Sequence, residues 1–503
     1  MTGTTKLDQA DPAGRAGVAD HRWTVLVIIG VAQLMVVLDT TIVNIALPSA
    51  QRDLGFNTDS RQWIITAYSL AFGSLLLLGG RLSDLIGRRR TLLIGLLGFA
   101  GASALGGVAP NFALLVSARA LQGTFAAVLA PAALSTLNVT FTEAKERGRA
   151  FGVYSAIAAG GSVIGLILGG MLTEWLSWRW CLYVNLLFAL PAAAAVMIYV
   201  RPEASRGRVH LDVPGVLAAS GGLFCLVYGL SNAEQHSWGA PLTVTLLVCS
   251  AVLLVGFVVI EHQVAEPLLP LRVVTDRNRG GSYLAIALAF TCMFGSFLFL
   301  TYYLQQNLGY SPLKTGAAFL PMTAGIVFAA GLSNTALLPR FGPRPLVPTG
   351  FLIGAGAMYW LAQLSVTSTY TGGVAAPMFL LGLGVGLAFA PSLNTATLGI
   401  EHRDAGVGSA MVNTSQQVGG AIGTAVLSTI FSSALKNYVS SHRPSPALPA
   451  AASIHGYTVA FAVSTGILLA AAAISAVLLR SGRPGALEPH RDQPIDAVDD
   501  TRT

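Results

Sequence analysis

Two ionisable side chains interrupt long apolar stretches of this sequence, Asp39 in Leu38-Asp39-Thr40-Thr41 and Arg119 in Ala118-Arg119-Ala120. A charge inside hydrocarbon costs several kcal/mol and marks a functional site by default. Asp39 lies about nine residues before Pro48, so at the helical rise it sits roughly 13 Å from that end of its segment. Arg119 is about seven residues into its own segment, or about 10 Å deep. Opposite charges at matched depth lower each other's cost and leave a carboxylate whose protonation depends on its neighbours. Such a group could couple a proton to a cargo; the same pair could also be a purely structural bridge between two helices. Gln122, Gly123 and Ala126 follow Arg119 at i+3, i+4 and i+7, placing an amide and small residues on its stripe.

Other polar or small residues fall at helical spacings. Gly161, Gly165 and Gly169, with Gly170 beside them, make a smooth stripe on which a second helix could pack and slide. Asn413, Gln416 and Gln417 share one side of a later segment, and Ser392 and Asn394 follow Pro391; these could line a cargo pocket or bond neighbouring helices. Cys181, Cys225, Cys249 and Cys292 are scattered without ligand spacing, which argues against a metal site or a disulfide framework. With no Gly-x-x-x-x-Gly-Lys-Ser/Thr loop and no clustered nucleophile, base or metal ligands, neither ATP-driven work nor an enzyme is expected.

The elements that carry these residues follow from composition. Of 503 residues, 53% are apolar and only 11% charged, and the mean hydropathy is +0.64. Apolar stretches of about twenty residues, the length that crosses the bilayer core, recur along the chain. They fall near Thr24 to Ala46, Ile64 to Gly79, Thr91 to Ala109, Phe112 to Thr136, Ala150 to Leu172 and Trp180 to Val200. Two more follow at Val213 to Leu230 and Leu242 to Ile260. Six remain, at Gly281 to Gln305, Lys314 to Ala336, Leu346 to Leu364, Gly372 to Thr397, Gly406 to Leu435 and Tyr457 to Leu479. The pattern predicts an all-α polytopic membrane protein of about fourteen spans.

The first 22 residues have no apolar core and do not resemble a signal peptide. Alternate loops, beginning with Arg81 to Arg90, hold about sixteen Lys and Arg against about six in the others. That bias puts both termini in the cytoplasm. It also accounts for the net charge of +7 without nucleic-acid binding. The segment from Lys436 to Gly456 reads as a flexible outer loop, and 481–503 as a disordered tail. The loop Leu82 to Leu92 aligns with Leu337 to Leu346, matching Gly87 to Gly342. Two related six-helix halves, 23–200 and 280–480, are therefore expected, with a linker over 201–279 that inserts two helices and a cytoplasmic tail over 1–22.

Several motifs together resemble the major facilitator superfamily, specifically its fourteen-helix drug:proton antiporters. Leu38-Asp39-Thr40-Thr41-Ile42-Val43-Asn44-Ile45-Ala46-Leu47-Pro48 is similar to the first-helix signature, whose aspartate handles substrate or proton. Gly80-Arg81-Leu82-Ser83-Asp84-Leu85-Ile86-Gly87-Arg88-Arg89 resembles the loop motif whose aspartate and arginines form a conformational latch. Physically, Asp84 could face the positive end of the helix that starts near Gly406. Leu115 to Ala127, around Arg119, Gln122 and Gly123, resembles the motif linked with proton transfer. The fifth segment departs from the antiporter pattern, with Leu166 where proline is expected.

The resemblance implies a major facilitator fold in the cell (inner) membrane, exporting a small amphipathic or cationic drug or antibiotic in exchange for protons by alternating access. The proton gradient would supply the energy, without a cofactor, and one chain would suffice. Asp39 would be the proton or cargo carboxylate and Arg119 its modulating partner. Two other readings stay open at this point: a proton-coupled importer, which Leu166 keeps open, and a non-transporting membrane sensor or scaffold.

Overall fold

The computed structural model describes residues 13–56, 58–202, 212–264, 267–401 and 403–480. The tail over 481–503 and the first twelve residues lie outside them. Among the described residues every regular element is a helix. Six long ones come first: α1 (Ala13–Leu54), α2 (Thr58–Ile86), α3 (Arg88–Gly107), α4 (Phe112–Thr140), α5 (Ala144–Trp175) and α6 (Trp180–Tyr199). The pair α7 (Val213–Gln235) and α8 (Pro241–Gln263) and the short α9 (Leu271–Thr275) follow. The remainder comprises α10 (Arg277–Tyr302), α11 (Pro312–Ala318), α12 (Leu320–Leu332), α13 (Leu338–Phe341), α14 (Pro343–Leu361), α15 (Ala375–Thr397), α16 (Ala405–Ser441) and α17 (Leu448–Leu478). Twelve helical stretches among the described residues are long and apolar enough to cross a membrane. Two further long helices, α5 and α14, pack in the same bundle, α5 against α1 and α12, α14 against α15 and α17.

The packing repeats. α4 lies against α2 and α3 as α15 lies against α12 and α14; α1 meets α5 and α6 as α10 meets α16 and α17; α3 meets α6 as α14 meets α17. The aligned glycines occupy matching turns, Gly87 before α3 at φ 89° and Gly342 before α14 at φ 73°. Only glycine takes that backbone without strain. Gly87→Ala should therefore lower stability by about 1 to 3 kcal/mol, read as a fall in the unfolding midpoint of the purified protein in detergent. An unchanged midpoint would mean the turn relaxes at no cost.

Three segments differ from their sequence-based description. α1 begins at Ala13, so helix reaches into the N-terminal tail. The supposed outer loop Lys436 to Gly456 is mostly helix, because α16 runs to Ser441 and α17 starts at Leu448. Its alanines favour helix, Pro449 suits a first turn, and the Tyr438 ring stacks on His442 and meets His455. The tenth apolar segment is broken into α11, α12, a π-helical turn over Ser333–Leu337 and α13, with Pro321 and Pro339 at the starts of α12 and α13.

The cores show how the two helix sets meet. At the end carrying Arg81 to Arg90, hereafter the arginine-rich end, one apolar core takes Ala130, Leu137 and Phe151 from the first set and Tyr283, Phe389, Leu393 and Val412 from the second. Towards the opposite end the cores separate. Val43, Leu47, Leu115 and Trp178 cluster in one set, and Phe299, Met358 and Tyr457 in the other. The halves are thus closed together at the arginine-rich end. α7 packs on α8 and, at the seam, on α2 and α16.

Candidate functional site

Five helices converge on Asp39. α1, α2, α3 and α6 each present an apolar surface to the others and one polar residue to their common centre, and α4 presents two, Arg119 and Gln122. Asp39 is fully buried and Arg119 is 2% exposed. Arg119 donates to Asp39 Oδ2 at 2.5 Å and to Gln122 Oε1 at 2.8 Å. Gln122 Nε2 and Asn185 Nδ2 each donate to Asp39 Oδ1 at 2.9 Å, and both amides also reach Ser103 Oγ. The Arg119 Nε–H donates to the Ile64 carbonyl, and its guanidinium lies 4.5 Å from the Tyr68 ring centroid. Charge neutralisation, charge-assisted hydrogen bonds and a cation–π contact together make this burial tolerable.

The structure brings Asp39, Arg119 and Gln122 into direct contact, and adds Asn185, Ser103 and Tyr68, which the sequence reading missed. Asn185 is a lone amide five residues into the apolar stretch Trp180 to Val200, and only the closing of α3 and α6 around α1 gives it a partner. The node lies inside the first helix set rather than between the sets. Asn185 Oδ1 and the Tyr68 hydroxyl have no hydrogen-bond partner, so the node holds unused polar capacity beside the carboxylate.

The glycine stripe of α5 faces α1 beside this node. Added Cβ atoms would meet Val37 at Gly161, collide with the Thr41 hydroxyl at Gly165, and come 3.1 Å from Ile42 Cα at Gly169. Gly170 meets nothing within 4 Å and stands off the stripe. Leu166 lies within an unbroken α5 of 32 residues. Gly165→Val should force α1 and α5 apart at a cost of about 1 to 3 kcal/mol, measured as a lowered unfolding midpoint. Wild-type stability would mean that Thr41 can simply turn away.

At the arginine-rich end, Asp84 crosses from α2 to the start of α16. Its Oδ1 accepts from the Gly406 N–H at 2.9 Å and its Oδ2 from the Val407 N–H at 3.2 Å, the arrangement a helix N-terminus favours. Glycine on both helices permits the approach: a Cβ on Gly80 would stand 2.6 Å from the Gly406 carbonyl oxygen. Arg88 donates to Ser135 Oγ of α4 at 2.9 Å and acts electrostatically on Asp84, while Arg89 donates to the Met197 carbonyl of α6. Hydrogen bonding to Asp404, the residue preceding α16, raises the Arg272 guanidinium above the ordinary arginine range.

A second crossing lies nearby. Arg147 of α5 donates to Asn394 Oδ1 at 3.0 Å and Thr397 Oγ1 at 2.9 Å, and Asn138 of α4 donates to the Thr397 carbonyl. Asn394, a candidate pocket residue by sequence, is therefore occupied in holding the halves together. Asn413 is buried and donates to the Ser409 carbonyl of its own helix. Gln416 and Gln417 are half-buried one turn further along α16.

An all-helical bundle of two similarly packed sets, closed on each other at one end, with a charged node buried in one of them, defines a multi-pass membrane transporter rather than an enzyme. Residues 29–424 match the Major Facilitator Superfamily, and the chain belongs to that family. It is 49% identical to the puromycin resistance protein pur8 of Streptomyces alboniger over 95% of each chain. It is 40% identical to the cephamycin export protein CmcT of Amycolatopsis lactamdurans, over 85% of this chain and 88% of that one. The human organic anion transporter MFSD10 shares the fold with a TM-score of 0.63 at 16% identity, over 90% of this chain and 99% of that one. The proton:xylose symporter XylE does so with a TM-score of 0.60 at 14% identity, over 93% and 97%.

Proposed function

We propose that this transporter is a fourteen-helix drug:proton antiporter that expels a small amphipathic, often cationic antibiotic or drug and so confers resistance. The observation that carries this reading is Asp39, a wholly buried carboxylate held by Arg119, Gln122 and Asn185, in a chain whose relatives are named for puromycin resistance and cephamycin export. Asp39 exchanges the proton or meets the cargo, Arg119 is its modulating partner, and the proton gradient supplies the energy without a cofactor.

The loop-charge bias supports a cytoplasmic setting for the arginine-rich end and both termini. On that orientation the joined core, the Asp84 contact and the Arg147 contact close the cytoplasmic side, as in an outward-facing state of an alternating-access cycle. Residues 23–200 and 280–480 act as the two rocking halves, with 201–279 supplying the inserted pair, and a single chain carries out the cycle.

A toxicity panel that includes puromycin and a cephamycin, run in an efflux-deficient host with wild type and Asp39→Asn, tests this. At least one compound should be tolerated with wild type alone. In proteoliposomes that compound should move against an imposed proton gradient. A flat panel would count against drug export, and accumulation driven by protons in the same direction would favour an importer, the reading that Leu166 keeps open.

A further inference from the structure

The inserted helices carry two acidic residues that the transport reading leaves unused. Asp212 caps the start of α7 and Glu261 ends α8, and they are 7% and 5% exposed. Each has one oxygen satisfied by backbone: Asp212 Oδ1 accepts from the Gly215 N–H and Glu261 Oε2 from the Leu269 N–H, both at 3.0 Å. Their other oxygens, Asp212 Oδ2 and Glu261 Oε1, have no partner. Both point over Gly215. A Cβ there would collide with Asp212 Oδ2 and lie 3.1 Å from Glu261 Oε1, so the glycine keeps open the small space the two oxygens share.

An ionised carboxylate only accepts hydrogen bonds. Two of them bordering one small space over Gly215, next to an apolar core that includes Phe257, Leu268 and Leu269, would repel with both orphan oxygens unsatisfied. One proton resolves both defects, because the protonated oxygen donates to the other carboxylate. Among the described residues, charged groups on the surrounding elements do not substitute for it. Arg81 of α2 acts electrostatically on Glu261 and on Asp84 but bonds to neither orphan oxygen. His262 is exposed, Arg272 is engaged by Asp404, and α16 contributes apolar side chains to the shared core, Val407, Ala410, Met411 and Val418. A divalent cation would want six or more oxygen ligands, and no group of three His, Cys, Asp or Glu suited to a metal occurs among the described residues.

We propose that Asp212 and Glu261 hold a single proton between them, forming a protonation site separate from Asp39 and adjacent to the Asp84 contact. Because Arg81 feels both acidic sites, the charge of the pair tunes how strongly Arg81 supports Asp84 at the closed end. The proposal does not depend on whether Asp39 carries the transported proton.

Infrared titration of the full-length protein in nanodiscs tests it through the carboxylic-acid C=O absorption. Wild type should show a protonated-acid band that Asp212→Asn and Glu261→Gln each abolish, with the double variant losing no more than either single one. The band should be indifferent to exchanging sodium or potassium for a bulky organic cation at constant ionic strength. A band untouched by either substitution, or removed by only one, overturns the shared proton. A band that shifts with sodium or potassium assigns the site to a metal cation instead. A wild-type protein with no protonated-acid band also overturns the shared proton, a result that needs no variant to fold.

Discussion

Asp39→Asn should reduce drug tolerance to the level of cells lacking the transporter while the protein remains inserted in the membrane. The substitution removes the titratable group and keeps its shape. Breaking a buried ion pair from one side costs about 3 to 5 kcal/mol, but this node can absorb part of that. The new amide oxygen can still accept from Arg119, whose guanidinium keeps the Tyr68 ring 4.5 Å away. The amide's N–H groups would face Asn185, and the unpartnered Asn185 Oδ1 can turn to accept from them. A folded, destabilised and inactive protein is the expected result, monitored by membrane abundance, size-exclusion profile and efflux together. Normal efflux would remove Asp39 from the mechanism.

Loss of efflux alone does not separate proton coupling from a structural pair; the double variant Asp39→Asn with Arg119→Gln does. If the pair only pins α1 to α4, replacing both charges with hydrogen-bonding neutral groups should recover stability and transport together, because neutralising both sides of a buried pair is often neutral in energy. If Asp39 carries the proton, stability recovers and efflux does not. The same logic exposes Asn185. Asn185→Leu leaves the charges in place and removes one donor to the carboxylate, so a pH profile of efflux that shifts without loss of membrane abundance marks it as a positioning residue.

What the sequence disclosed about this site follows a physical rule. A charge in an apolar span is costly enough to stand out alone, so Asp39 and Arg119 were visible, and their depths paired them before any contact was known. Gly87 and Gly342 were visible as a repeat because the turn they occupy excludes other residues. The spans were legible because a bilayer demands both length and apolarity. Asn185 and Ser103 were not, since neutral polar residues are cheap and acquire meaning only when α3 and α6 close around α1. The partner of Asn394 was not legible, because spacing along one helix does not say that Arg147, far away in sequence, donates to it. The Asp212 and Glu261 pair needed the fold for the same reason, lying at opposite ends of a two-helix excursion.

Asp84→Ala should open the arginine-rich end without disturbing the Asp39 node. Asp84 offers a full carboxylate to two N–H groups in the first turn of α16, and hydrogen bonds to a charged group are worth about 1.5 to 3 kcal/mol each. Water can satisfy those N–H groups once the end opens, so a net loss of about 3 kcal/mol is the reasonable expectation, equivalent to about a hundredfold shift in the equilibrium between closed and open forms. Arg147 still binds Asn394 and Thr397 in this variant, which limits the shift; adding Arg147→Ala should extend it. Spin labels at the exposed positions Lys145 and Arg340, one on each half, would report it as a second, longer distance population that grows from the single to the double variant. Asp84→Asn retains one acceptor oxygen and no charge, so its population should fall between wild type and Asp84→Ala. A distance distribution unchanged in all three would mean that the apolar core joining Phe151, Tyr283 and Leu393 closes this end by itself. The Asp84 contact would then be a consequence of closure rather than a cause.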